Sequence, residues 1–131
     1  MGTIELSTVF LASLAFFAVG AVWYGVFFGW PWQREANVSG TPSGGQLAKI
    51  MTLTFVFEML VVLMLAHNIA RTNPAPHVIM MMAVGFALTI MTPAIGITYL
   101  QQRKSLSALL IDAGHFVIGM AAVGGVFIAM R

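Results

Sequence analysis

Asp112 and His115 stand one helical turn apart inside a long apolar run, and Glu58 stands inside another. Residues at i and i+3 share a helix face, so the aspartate and the histidine point the same way. A histidine exchanges protons near neutral pH, and a carboxylate inside a bilayer must find a partner or be spent on a task. The sharpest chemistry these residues could support is a proton relay or a polar ligand site, with Glu58 reaching His115 from a neighbouring helix. The plainer alternative is a structural knot. A buried Glu58–His115–Asp112 network, completed by the hydroxyls of Tyr24 and Thr92, would then fix helix register. A lone carboxylate at the bilayer centre costs about 2.5–3.5 kcal/mol on insertion scales, which is reason enough for it to pair.

A third use of His115 is to hold a pigment or haem, with Gly114 and Gly119 leaving room beside the ring. The remaining histidines, His67 and His77, flank the second connection at the opposite surface and cannot complete a bis-histidine site by depth. Zero cysteines exclude disulfides, thiolate metal sites and thiol nucleophiles. No metal site and no cofactor are therefore expected. Nor does the chain contain a Ser/His/Asp triad, a Gly-rich phosphate loop or a basic patch suited to nucleic acid.

The elements that must position these residues are four apolar runs, 6–29, 47–70, 78–100 and 105–130. Each exceeds the ~20 residues that span a hydrocarbon core as a helix. With 131 residues, 60% of them hydrophobic and 8% charged, the chain has too few charges to solvate an ordinary globular surface, where about 25% is usual. The expected fold is all-α: one integral membrane domain, 1–131, of four transmembrane helices, antiparallel neighbours joined by short loops. At 1.5 Å per residue, Asp112 lies roughly 10 Å in from Ser105, His115 roughly 15 Å, and Glu58 roughly 16 Å in from Leu47. Tyr24 lies roughly 9 Å in from Trp30, and Thr92 roughly 14 Å in from Gln101. Every helix thus brings a polar side chain to the same half of the bundle.

The first run lacks a basic leader and a small-x-small cleavage site, and is expected to be an uncleaved span. Its Ala21, Gly25 and Gly29 fall at the four-residue spacing of close helix approach. Trp30-Pro31-Trp32 is expected to close it, the proline because it cannot donate to the preceding turn. Trp23, Trp30, Trp32 and Tyr99 are expected as interface anchors at headgroup level. The first connection contains the formal sequon Asn37-Val38-Ser39 and a flexible tip at Ser43-Gly44-Gly45. Thr72-Asn73-Pro74-Ala75-Pro76 is a rigid turn. Pro93, beside Thr89 and Thr92, predicts a kink in the third helix, and Ser105 is the expected N-cap of the fourth. Arg34, Lys49, Arg103 and Lys104 lie on one side, against Arg71 and Arg131 on the other. This bias places loops 1 and 3 in the cytoplasm and both termini outside.

Two stretches carry a family likeness. Ala21-Val22-Trp23-Tyr24-Gly25-Val26-Phe27-Phe28-Gly29, followed by Trp32, and Leu110-Ile111-Asp112-Ala113-Gly114 resemble the bacterial membrane family catalogued as domain of unknown function 1761. The likeness extends over essentially the whole chain. It implies a small multi-pass protein of the bacterial inner membrane and brings no established activity. The family pattern implies an aromatic residue just after the Asp-x-Gly element, where this chain has His115.

The expected function is that of a small non-enzymatic membrane protein, a homo-oligomer or an accessory subunit of a larger membrane complex, with lipids and other membrane subunits as its partners. The small-residue stripe Ala121, Gly125 and Ala129 on the fourth helix motivates that expectation. A proton-coupled carrier or channel for a small solute, using Glu58, Asp112 and His115, is the alternative, and a pigment- or haem-associated subunit is a further one.

Overall fold

A computed structural model describes residues 3–35 and 43–130, without the side chains of Gly29, Trp30 and Glu35. The sequon at Asn37 and the side chain of Trp30, expected as an anchor, therefore lie outside the described residues. All regular structure among the described residues is helical, in the order α1 (Leu6–Val22), a π-helical turn (Trp23–Phe27), α2 (Gly29–Glu35), α3 (Gly44–Thr72), α4 (Pro76–Phe86), a second π-helical turn (Ala87–Met91), α5 (Thr92–Gln101) and α6 (Leu106–Ala129). Four continuous stretches, Leu6–Phe27, Gly44–Thr72, Pro76–Gln101 and Leu106–Ala129, are long and apolar enough to cross a membrane.

Local chemistry sets their ends. Ser43 and Ser105 cap α3 and α6, their hydroxyls accepting the N–H groups of Gln46 and Ala108 at 3.4 and 3.1 Å. Gly44 and Gly45, expected in a flexible tip, instead form the first turn of α3. Asn73 takes the left-handed conformation (φ 44°) and donates its N–H to the Ile69 carbonyl, ending α3. Pro76 then opens α4, where its missing N–H costs nothing.

The first span does not end at Pro31. It breaks at Phe28 (φ −124°, ψ 9°), and Pro31 lies in the first turn of α2, a position that needs no N–H donor. The disturbance expected at Pro93 is the second π turn, in which the Thr92 N–H reaches five residues back to the Ala87 carbonyl. Thr89 donates its hydroxyl to the Gly85 carbonyl at 2.6 Å, a back-bond that bends helices.

Helix α6 is the centre of the bundle, packed against α1 and α4, while α3 packs chiefly on α1. The apolar core gathers Phe16, Val62, Leu65, Ile79, Met120 and Val123, all essentially without exposure. Close approach uses glycines five apart on α6. A Cβ on Gly119 would sit 2.7 Å from the Phe16 ring, and one on Gly114 would sit 2.7 Å from the Trp23 ring. On α1 the glycine at a close contact is Gly20, against His115. Gly25 has open space around it and Ala21 is exposed, so the expected Ala21–Gly25 seam does not form. The π turn explains the shift: five residues per hydrogen-bonded loop, rather than four, rotate everything after Val22 around the axis. On α6, Gly125 also faces open space and Ala129 is exposed. The first half of α3, from Gly44 to Phe57, is exposed on all sides except at Phe55, whose ring meets the edges of Phe10 and Phe17.

Candidate functional site

Asp112 is only 4% exposed, and both of its carboxylate oxygens are taken. The Tyr24 hydroxyl donates to Oδ1 from the first span, and the Tyr99 hydroxyl donates to Oδ2 from the third. An ionised carboxylate only accepts hydrogen bonds, and a phenol has one O–H to give, so the three groups match in kind and number. One side chain on α6 therefore ties three of the four spans together.

The reason they meet lies in the tilt of helical side chains. Each Cα–Cβ bond leans toward the N-terminus of its own helix. Tyr24 and Tyr99 stand near the C-terminal ends of their spans and lean inward, whereas Asp112, on an antiparallel helix, leans back toward the loop. The difference in depth between Tyr99 and Asp112 closes this way across the turn of residues 102–105. Expected as an interface anchor, Tyr99 is half-buried and belongs to this clasp. The signal was in the sequence, in the short connection combined with side-chain tilt.

Aromatic rings surround the clasp. Trp23 donates its indole N–H to the Ile111 carbonyl at 3.0 Å, lying across the groove that Gly114 leaves open. The Tyr24 ring meets Trp32 edge-on at 5.6 Å and His115 at 5.1 Å. Trp23 and Trp32, expected as headgroup anchors, are both half-buried against other parts of the protein. The Lys104 ammonium stands 5.4 Å from the centre of the Tyr99 ring, a cation–π distance.

His115 is 7% exposed and wedged among Phe16, Tyr24 and Phe116, with ring centres 5.1–5.4 Å away. Its Nε2 faces Gly20 and has no hydrogen-bond partner. Glu58 is equally buried, and its Oε1 is also unpartnered, as is the hydroxyl of Thr92. The expected Glu58–His115 bond is therefore not made. Helix α3 leans on α1 and leaves α6 almost untouched, so Glu58 is not carried to the histidine. Of the five expected cluster residues, the structure joins Tyr24 and Asp112 by a hydrogen bond and His115 to Tyr24 by ring contact.

Room for a pigment beside His115 is filled: the spaces at Gly114 and Gly119 hold the rings of Trp23 and Phe16. Among the described residues, no three histidine or acidic side chains are grouped to hold a metal ion. His67 and His77 are exposed at the other end of the bundle.

A family model described as "Protein of unknown function (DUF1761)" matches residues 7–128. Nothing matches among curated proteins or among solved structures.

Proposed function

The chain belongs to the DUF1761 family of unknown function, and we propose that it works as a non-enzymatic multi-pass membrane protein whose polar cluster is a structural clasp. The observation that carries this reading is the full occupancy of Asp112. With both oxygens bonded by tyrosines of other spans, the carboxylate has no free lone pair aimed at a substrate and every reason to hold helices in register. On this reading the protein is a homo-oligomer or an accessory subunit of a larger complex in the bacterial inner membrane. Support comes from the first half of α3, which makes little use of its own bundle, and from the short connections among the described residues. Gentle extraction and native mass measurement test it. An oligomer or co-purifying subunits are expected, and a lone monomer refutes the subunit role.

The proposed orientation puts loops 1 and 3 in the cytoplasm and both termini outside, on the balance of basic residues. Because the chain has no cysteine, single introduced cysteines at residues 3 and 102 report it directly. An impermeant maleimide applied to intact cells should label the first and spare the second.

A proton-coupled carrier is the second reading, and one observation favours it. Glu58 Oε1, Thr92 Oγ1 and His115 Nε2 are buried without partners, and they fall at a similar depth, about 14–16 Å in from the same side. Buried polar atoms are normally satisfied, so a transported solute or proton-carrying water would complete them. Reconstituted protein should then move protons in a manner that Glu58→Gln abolishes. Equal flux with and without the substitution removes this reading.

A further inference from the structure

The end of the bundle opposite the clasp contains a partly open cavity of about 170 Å³, walled by the start of α1, the end of α3, Ile79 of α4 and Phe127 of α6. At about 30 Å³ per water molecule it has room for about five waters, or for one compact organic group. Two of its polar groups are uncommitted. Thr8 is 6% exposed, lines the cavity, and its hydroxyl makes no hydrogen bond among the described residues. Glu5 lines it too, stands at the N-cap position of α1 without capping it, and has no ion-pair partner among the described residues. The floor is apolar, formed by core residues Ala66, Ile79 and Phe127.

From this lining we infer a binding site for an ammonium group bearing a short alkyl stem. Glu5 is the one charged residue among the described residues of the wall, so the site repels anions and attracts a cation at its rim. An inorganic cation would keep its water and leave the apolar floor unused. An alkylammonium places its charge at Glu5, its N–H or adjoining polar group at Thr8, and its methylenes on Ile79 and Phe127, whose ring adds cation–π attraction. The cavity lies at the level of the helix ends, where the ammonium can come either from a lipid headgroup or from a free amine. The site shares no residue with the Asp112 clasp and stands or falls independently of it.

The experiment uses the full chain in two arms. In the first, protein in nanodiscs of phosphatidylethanolamine and phosphatidylglycerol in equal parts is moved into detergent, and the retained lipid is identified by native mass spectrometry. In the second, detergent-purified protein is titrated with ethanolamine, following its amide chemical shifts. Saturable ethanolamine binding, weakened at least tenfold by Glu5→Gln and about fivefold by Thr8→Val, the loss of one hydrogen bond, is expected if free amine is the ligand. Selective retention of the ethanolamine lipid, lost in Glu5→Gln, without free-amine binding, assigns the site to a headgroup. Glu5 is exposed, and unchanged helical content in Glu5→Gln confirms that the fold persists. The inference is overturned if neither probe binds, or if both bind Glu5→Gln as well as the unaltered protein.

Discussion

Removing the Tyr99 hydroxyl by Tyr99→Phe keeps the ring, its contact with Lys104 and its packing, and deletes one bond to Asp112. Interhelical side-chain hydrogen bonds in membranes average about 0.6 kcal/mol and reach about 1.7, while hydrogen bonds to charged groups run to about 1.5–3. A single phenol on a carboxylate that is 4% exposed should therefore contribute about 1–2 kcal/mol. Tyr24→Phe should cost a similar amount, because its stacking on Trp32 and His115 also survives. The double variant leaves a bare buried carboxylate and should cost more than the sum, by at least about 0.5 kcal/mol, as expected for groups sharing one partner. Asp112→Leu strands two phenols instead, again at about 1–3 kcal/mol for each unsatisfied group. The decisive variant is the triple, Asp112→Leu with both tyrosines changed to Phe. Replacing every partner of a buried polar cluster by apolar groups can be nearly neutral, so the triple should regain much of what Asp112→Leu alone loses. Unfolding in bicelles, driven by sodium dodecyl sulfate and followed by tryptophan fluorescence, gives each number. Single changes below about 0.3 kcal/mol, well under the average for membrane hydrogen bonds, or a triple variant weaker than Asp112→Leu, would refute the clasp.

Glycine substitutions on α6 should separate sharply in the same assay. Gly114→Ala and Gly119→Ala drive a methyl to 2.7 Å from Trp23 and Phe16 and should destabilise by about 1–3 kcal/mol, whereas Gly125→Ala, with open space around it, should be neutral or slightly stabilising. Arg103 sits at φ 57°, a conformation costing an L-residue roughly 1–2 kcal/mol. Arg103→Gly should therefore raise the unfolding midpoint, after the entropy cost of glycine, by about 0.5–1 kcal/mol; a fall would mean that the side chain's own contacts outweigh the strain.

The helices were legible in the sequence because length and apolar content decide them, and caps such as Ser105 fixed one end to within a residue. Asp112 and Tyr24 were legible because a polar group in an apolar run advertises itself. Tyr99 was misjudged since tyrosine near a helix end is as much at home among headgroups as in a clasp, and only the antiparallel tilt distinguishes the two. Glu58 was misjudged for a different reason. Depth along a helix can be counted from sequence, but the direction a helix faces depends on which neighbour it packs against, and α3 chose α1. The break at Phe28 and the two π turns were not legible, because a single widened turn leaves no trace in composition.

Those two widened turns have a consequence for how the chain can change over time. Each π turn holds one residue more than an α turn would, and at 3.6 residues per turn one residue is worth about 100° of rotation. Tyr24 lies within the first such turn and Tyr99 follows the second, so both hydroxyls owe their aim to a surplus residue. Deleting one residue from 23–27 or from 87–91 would shorten a span by only about 1.5 Å, well within what a bilayer tolerates, yet it would swing a tyrosine away from Asp112. In this bundle residue count matters more than residue identity over those ten positions, and single-residue deletions there should be tolerated far less than substitutions at neighbouring exposed sites.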